Sequence, residues 1–310
     1  MNKRIDGVVL LDKPTGMSSQ QAVTAVKHVF HADKAGHTGT LDPLATGLLP
    51  ICLGEATKYS QDLLDADKAY IARLRFGITT DTGDAEGAVI AEQSTDPLDA
   101  SKAKLAIEAI LTQFTGAISQ TPPMYSALKR DGKPLYEYAR AGMELEREVR
   151  NITIHSIRIL EVQWPEAMIE VVCSKGTYIR VLAEDMGKTL GFGAHLVGLR
   201  RTMVGHLQLK NSITLDALKE SADVNQLLLP VDALLQTLTP LTVDEQQAKR
   251  LEMGQRVPCV ISNESALKNL IFRIYRSNPI PQNFIGTADW RAGVLHPRRF
   301  ISQRLIHSVS

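Results

Sequence analysis

Strand-like and helix-like apolar segments follow one another along this chain without the regular β-α-β alternation of a doubly wound parallel sheet. That irregular order points to an α+β fold rather than a doubly wound one. Residues 7–14 read as a buried strand, and Ser18 and Ser19 offer an N-cap for a helix running to about Phe30. Residues 33–47 form a Gly-rich loop, followed by a short apolar strand at 48–53. Residues 55–65 are helical by pattern, and 69–76 alternate as a strand. Residues 99–114 have helical spacing, with Leu105, Ile107, Ile110, Leu111 and Phe114 on one side. Residues 152–162 and 167–173 read as a strand pair turning at Trp164, Pro165 and Glu166, and 178–190 as a helix.

Two segments break this pattern. Residues 122–150 form a long polar insertion with six basic and five acidic residues and little core-forming periodicity. Near Thr237 to Pro240 the composition changes to short strand-like pieces (257–261, 270–275, 284–285), turns at Asn263, Pro279 and Pro281, and a basic end. The expectation is a large body over residues 1–240 and a small β-rich module over 241–310.

Composition excludes several classes. The apolar share of 44% supports sizeable cores, but the longest apolar runs fall far short of the ~20 residues of a membrane span. The N-terminal apolar stretch is too short for a signal peptide, so a soluble cytoplasmic protein is expected. Cys52, Cys173 and Cys259 are too scattered for a disulfide framework or a zinc pattern. No phosphate-cradling GxxxxGK motif occurs. Residues 81–87, DTGDAEG, place Gly83 and Ala85 where a calcium loop needs ligands, so a turn-rich loop is the better reading. No metal or cofactor is called for. Net charge is only +1, yet two windows hold arginines and lysines without acids: Arg200, Arg201 and Lys210, and Arg291, Arg298, Arg299 and Arg304. Either could be a phosphate-contacting face or ordinary surface.

The densest chemistry lies in GHTGTLDPLATG, residues 36–47. Three glycines permit tight turns and close approach of a ligand. Pro43 biases Asp42 toward an extended backbone and removes a neighbouring donor. A rigid loop presenting one carboxylate is expected.

GHTGTLDPLATGLLPICLGEATK (36–58) resembles the catalytic motif of the TruB-type tRNA pseudouridine synthases. Four further stretches agree in order: LDKPTGMSS (11–19), KAY (68–70), CSKGTYIR (173–180) and GAHLVGLRR (193–201). The terminal module resembles a PUA domain, an RNA-binding β-barrel, through GQRV (254–257) and HPRR (296–299).

The resemblance implies the pseudouridine synthase fold, α+β with a mixed, mainly antiparallel central sheet and flanking helices. It also implies the family's reaction: cleavage of a uridine N-glycosidic bond, rotation of the base and reattachment through C5, with no cofactor. It makes Asp42 the nucleophile, attacking ribose or base, and Arg180 its ion-pair partner. Tyr70 would stack on the base near its C5 proton, and Leu199 would wall the pocket. Lys13 and Pro14 would buttress the site, and Tyr178 would belong to substrate binding. His37 would fill the space left by the flipped uridine. The insertion, with Lys129, Arg130 and Arg140 among its basic residues, would grip RNA. The implied partner is the T-arm stem-loop of tRNA and the target the uridine at position 55, without guide RNA; a monomer is the default. Two alternatives stand beside this reading. A non-catalytic tRNA-binding or folding protein would lack the Asp, Tyr or Arg, all of which are present. A carboxylate hydrolase would need a second acid, for which Asp12, Asp81 and Asp84 are available.

Overall fold

The computed structural model describes residues 5–261, 270–277 and 284–302, so the expectations resting on Asn263, Pro279, Pro281 and Arg304 lie outside the described residues. The chain runs through β1 (Gly7–Lys13), α1 (Ser19–Val29), β2 (Ala35–His37), β3 (Thr46–Leu53), α2 (Ser60–Leu64), β4 (Lys68–Phe76), β5 (Ile78–Thr80) and β6 (Val89–Glu92). Next come α3 (Ala100–Leu111), β7 (Gly116–Gln120), β8 (Lys129–Arg130), β9 (Lys133–Pro134), α4 (Leu135–Arg140), β10 (Arg150–Gln163), β11 (Glu166–Cys173), α5 (Ile179–Leu190), β12 (Ala194–Val204), β13 (Leu207–Gln208), β14 (Ile213–Thr214) and α6 (Leu215–Glu220). A ten-stranded mixed sheet has the order β14-β1-β3-β12-β4-β11-β10-β7, with β2 added beside β3 and β13 beside β12. Only β1 with β14 and β12 with β3 run parallel.

Residues 8–11 form a continuous apolar run because β1 is covered on both faces. Val9 and Leu11 enter the main core with Leu49, Ile51 and Leu53 of β3, while Val8 and Leu10 enter a second core with Leu48 and Cys52. Ser18 caps α1 in a capping box with Gln21. Ser19 instead turns inward, where its hydroxyl donates to Leu41 O (2.9 Å) and accepts from Leu41 N (2.7 Å), tying α1 to the Gly-rich loop.

Several expectations need correction. Residues 35–37 and 46–47 of the expected loop are strand. Residues 54–59 form a 3-10 turn before α2. On α3, Ala103, Ile107 and Ile110 are buried but Leu105 is 66% exposed, because the buried face recurs every three to four residues and position 105 falls off it. Phe114 is buried from a following 3-10 turn. The insertion carries a two-residue hairpin turn between β8 and β9 with positive φ at Asp131 and Gly132, the geometry an Asp-Gly pair favours. It then forms α4, which is rooted by buried Leu135. β12 is central although its sequence, rich in arginine, does not advertise a strand.

The terminal module is a half-barrel built from β15 (Thr239–Val243), α7 (Glu245–Glu252), β16 (Val257–Pro258), β17 (Ile271–Arg276), β18 (Phe284–Arg291) and β19 (Val294–Phe300), with strand order β15-β17-β18-β19-β16. Its last two strands are longer than their short apolar signals suggest. It is seated on the large body. Phe284 packs edge-on against fully buried Tyr59 at 5.6 Å, and Tyr59 donates to Arg299 O at 2.9 Å. Arg299 donates in return to Lys58 O (2.9 Å) and pairs with Asp62 (3.2 Å).

Candidate active site

The Gly-rich loop, β4, the start of α5, the β5–β6 loop and the insertion surround a cavity of about 810 Å³. Asp42 stands at its wall with its side chain 41% exposed. The loop around it is pinned on both sides. Leu41 is held by Ser19, Pro43 O accepts from Gly16 N (2.8 Å), and Ala45 N donates to Asp42 O (3.0 Å). Gly47 closes the segment at φ 99°, where an added Cβ would sit 2.3 Å from Arg201 O, so β3 can approach β12 only with glycine there.

Arg180 reaches Asp42 Oδ2 at 3.0 Å and is itself 6% exposed. Its Nη1 donates to Thr82 O (2.8 Å) and its Nη2 to Tyr125 O (2.7 Å), while Nε lies 3.5 Å from Asp84 Oδ2. Asp84 is buried, and its other oxygen accepts from the Thr82 hydroxyl (2.7 Å) and Glu86 N (3.1 Å). One guanidinium is therefore clamped from behind and offers its remaining edge to one partly solvated carboxylate, a charge-assisted pair with fixed direction. Asp84 belongs to the turn-rich 81–87 loop and went unrecognised in the sequence as part of this site. Its role depends on a contact between segments almost a hundred residues apart.

Tyr70 and Leu199 line the cavity, as do His37, Tyr178 and Arg140. Tyr70 is 8% exposed, and burial raises its phenol pKa. His37 Nδ1 accepts from Gly39 N (3.1 Å), so the neutral ring carries its proton on Nε2. Burial, with the charge of Arg201, lowers the pKa of His37. Tyr178 is held at its backbone by Gln120, which accepts from its N–H (3.0 Å) and donates to its carbonyl (3.3 Å). Arg140 lies over the Tyr136 ring at 5.3 Å.

Lys13 is not at the cavity wall. It is fully buried and donates to Pro14 O (2.8 Å) and Met17 O (2.6 Å), with its pKa lowered to about 8 by burial. Lys129 and Arg130 are exposed on β8 and do not line the cavity. The window at 191–210, open between a phosphate-contacting face and ordinary surface, holds no cluster of free arginines: Arg200 pairs with Asp12 at 2.6 Å and Arg201 is 1% exposed inside the sheet. Among the described residues no group of three His, Cys, Asp or Glu is arranged to hold a metal ion, and no helix is long and apolar enough to cross a membrane.

Three family models match successive segments of the chain. Residues 27–179 match the TruB family pseudouridylate synthase N-terminal domain, and residues 180–236 the tRNA pseudouridylate synthase B C-terminal domain. Residues 239–301 match the pseudouridine synthase II TruB C-terminal region. The fold is shared with a chain of a Cbf5-Nop10-Gar1 complex, at TM-score 0.65 and 26% identity over 91% of this chain and 78% of that one. A chain of an H/ACA RNP bound to a substrate RNA containing 2'-deoxyuridine matches at TM-score 0.68 and 22% identity, over 96% and 86%. This architecture is that of the pseudouridine synthases. Within that class, the tRNA pseudouridine synthase B of Burkholderia lata is 53% identical over 300 residues, 96% of this chain and 90% of the relative. That of Cupriavidus metallidurans is 51% identical over 308 residues, 96% and 94%. The chain belongs to the TruB family.

Proposed function

We propose that this enzyme converts a uridine of tRNA, the one at position 55 of the T-loop, into pseudouridine, with Asp42 as the nucleophile. The observation that carries the reading is the 3.0 Å pair between Asp42 and Arg180 at the wall of a cavity also lined by Tyr70 and Leu199. The names of the full-length relatives support tRNA as the substrate. In this reading the target uridine leaves the loop stack and enters the cavity. Tyr70 lies against the uracil face, Leu199 closes the opposite side, and His37 occupies the space the base has left. Asp42 attacks the ribose or the base, the bond from N1 to the ribose breaks, and Arg180 keeps the carboxylate aimed while the base turns. C5 then joins the ribose in place of N1, Asp42 is released, and the C5 proton is lost as N1 takes one up. Arg140 and the exposed Lys129 and Arg130 meet the RNA backbone, where shape rather than base sequence dominates recognition. The two alternatives fit less well. A pure binding protein has no use for an aimed carboxylate, and of Asp12, Asp81 and Asp84 the one that lines the cavity is Asp84, which is buried and committed to Arg180.

The test is direct. Purified protein with no added guide RNA, incubated as a monomer with an unmodified tRNA transcript, is expected to form pseudouridine at position 55. It should form none when that uridine is replaced by cytidine. Product at another position would reject the T-loop assignment, and absence of product in any tRNA would reject the activity.

A further inference from the structure

Arg201 heads the fully buried side chains by size. Arg180 pairs with Asp42 and Asp84, and Arg200 with Asp12, but Arg201 is met by oxygen atoms that carry no formal charge. Its Nε donates to Leu48 O (2.8 Å), Nη1 to Thr40 O (3.3 Å) and Nη2 to Gly39 O (3.1 Å). In the sheet it is the cross-strand partner of Tyr70 on one side and of Gly47 on the other, and the Tyr70 hydroxyl faces its guanidinium. A guanidinium taken from water without a counter-charge is costly, and an apolar side chain of similar volume often packs such a place at least as stably. Stability alone therefore does not account for the residue. A planar fork with donors at fixed angles does something an apolar side chain cannot: it sets several acceptors at fixed distances from one another.

The acceptors identify what is being set. Gly39 and Thr40 lie three and two residues before Asp42, Leu48 lies in the buried part of β3 after it, and Tyr70 belongs to a separate strand. We propose that Arg201 is a positioning residue of the reaction, whose guanidinium holds the turn leading into Asp42 at a set distance from Tyr70. The nucleophile and the stacking platform are thereby registered to each other before RNA arrives. This inference rests on the function proposed above, because only there do Asp42 and Tyr70 act on the same nucleotide.

Arg201→Lys keeps the charge and loses the fork. Misplacing a reacting group by about 1 Å costs on the order of 100-fold, so kcat at saturating T-arm stem-loop should fall by about 100-fold. The Kd for that stem-loop should stay within about threefold, since no RNA contact is removed. A merely structural arginine would lower Tm yet leave kcat, measured well below that Tm, within about threefold of wild type, and this result would overturn the proposal. If Arg201→Lys does not fold, Gly39→Ala decides. It leaves Arg201 in place but strains the turn it holds, since Gly39 has φ 140° and an added Cβ would lie 3.7 Å from Arg201 Nη1. A loss of kcat at retained affinity supports the proposal, and wild-type kcat overturns it. Failure of the functional reading is distinguishable, because there the wild-type enzyme itself makes no pseudouridine.

Discussion

Asp42 and Arg180 differ in how much freedom the fold leaves them. The arginine is immobilised by two carbonyls and a buried aspartate, whereas the aspartate keeps a partly open face. Asp42→Asn preserves volume and most hydrogen bonding but removes the charge that the proposed mechanism uses as its nucleophile. Turnover should drop by more than about 1,000-fold while RNA affinity changes only a few-fold. A stem-loop with 5-fluorouridine at the target position reads the chemistry itself, since fluorine at C5 cannot leave as a proton does. Wild-type enzyme should yield an attached RNA or an altered fluorouracil product by mass spectrometry, and Asp42→Asn neither. Altered product from the variant would assign the nucleophile elsewhere. Lys13 offers a test by pH. Its folded pKa is about 8 against an ordinary 10.5, so between those values the unfolded chain binds more protons. Stability from this group should therefore rise with pH across that window, and below about 8 the burial cost is fully present. The wild-type stability, relative to Lys13→Met, should improve from pH 8 to 10 in denaturant titrations. A constant difference would mean that Lys13 titrates normally.

At the scale of elements, α4 turns a polar insertion into part of the cavity. Leu135 anchors it, Leu135 N donates to Leu128 O (2.7 Å), Tyr136 N donates to Ser126 O (3.2 Å), and the helix then presents Tyr136 and Arg140 to the cavity. An arginine stacked on a tyrosine ring and free of acids is suited to a phosphate. Arg140→Ala should weaken tRNA binding and reduce the slope of log affinity against log salt by about one, with kcat at saturation little changed. An unaltered slope would take Arg140 out of the backbone contacts. The insertion's register was not legible beforehand, because a six-residue helix rooted by one leucine leaves no periodic signal.

At the scale of the whole molecule, the terminal module is not a loosely tethered appendage. Val8, Leu10, Leu48, Tyr59, Leu234, Leu235 and Phe284 share one core, so both parts of the chain contribute to it. Phe284→Ala should cost about 3–5 kcal/mol and shift a single calorimetric transition to lower temperature. Two separate transitions in the wild-type protein would contradict a shared core. Removing residues 241–310 should weaken tRNA binding and also destabilise the remainder, since it strips the cover from Tyr59.

The sequence by itself determined the local elements whose signals are short-range. The apolar run at 8–11 in β1 and the Ser18 cap of α1 each follow from residues within a few positions of one another. The rigid, glycine-flanked carboxylate at Asp42 belongs to the same kind. Tertiary structure decided everything that depends on a distant partner. Asp84 became part of the site because α5 brings Arg180 to the 81–87 loop, and Leu105 stayed outside because no element among the described residues covers its side of α3. Arg200 and Arg201 looked like surface charge because side-chain type alone predicts exposure for arginine. The closed sheet instead gives Arg200 a partner in Asp12 of β1 and buries Arg201 against the carbonyls of Gly39, Thr40 and Leu48. A buried charge is set by the partners that meet it, and those partners come together only when the sheet closes.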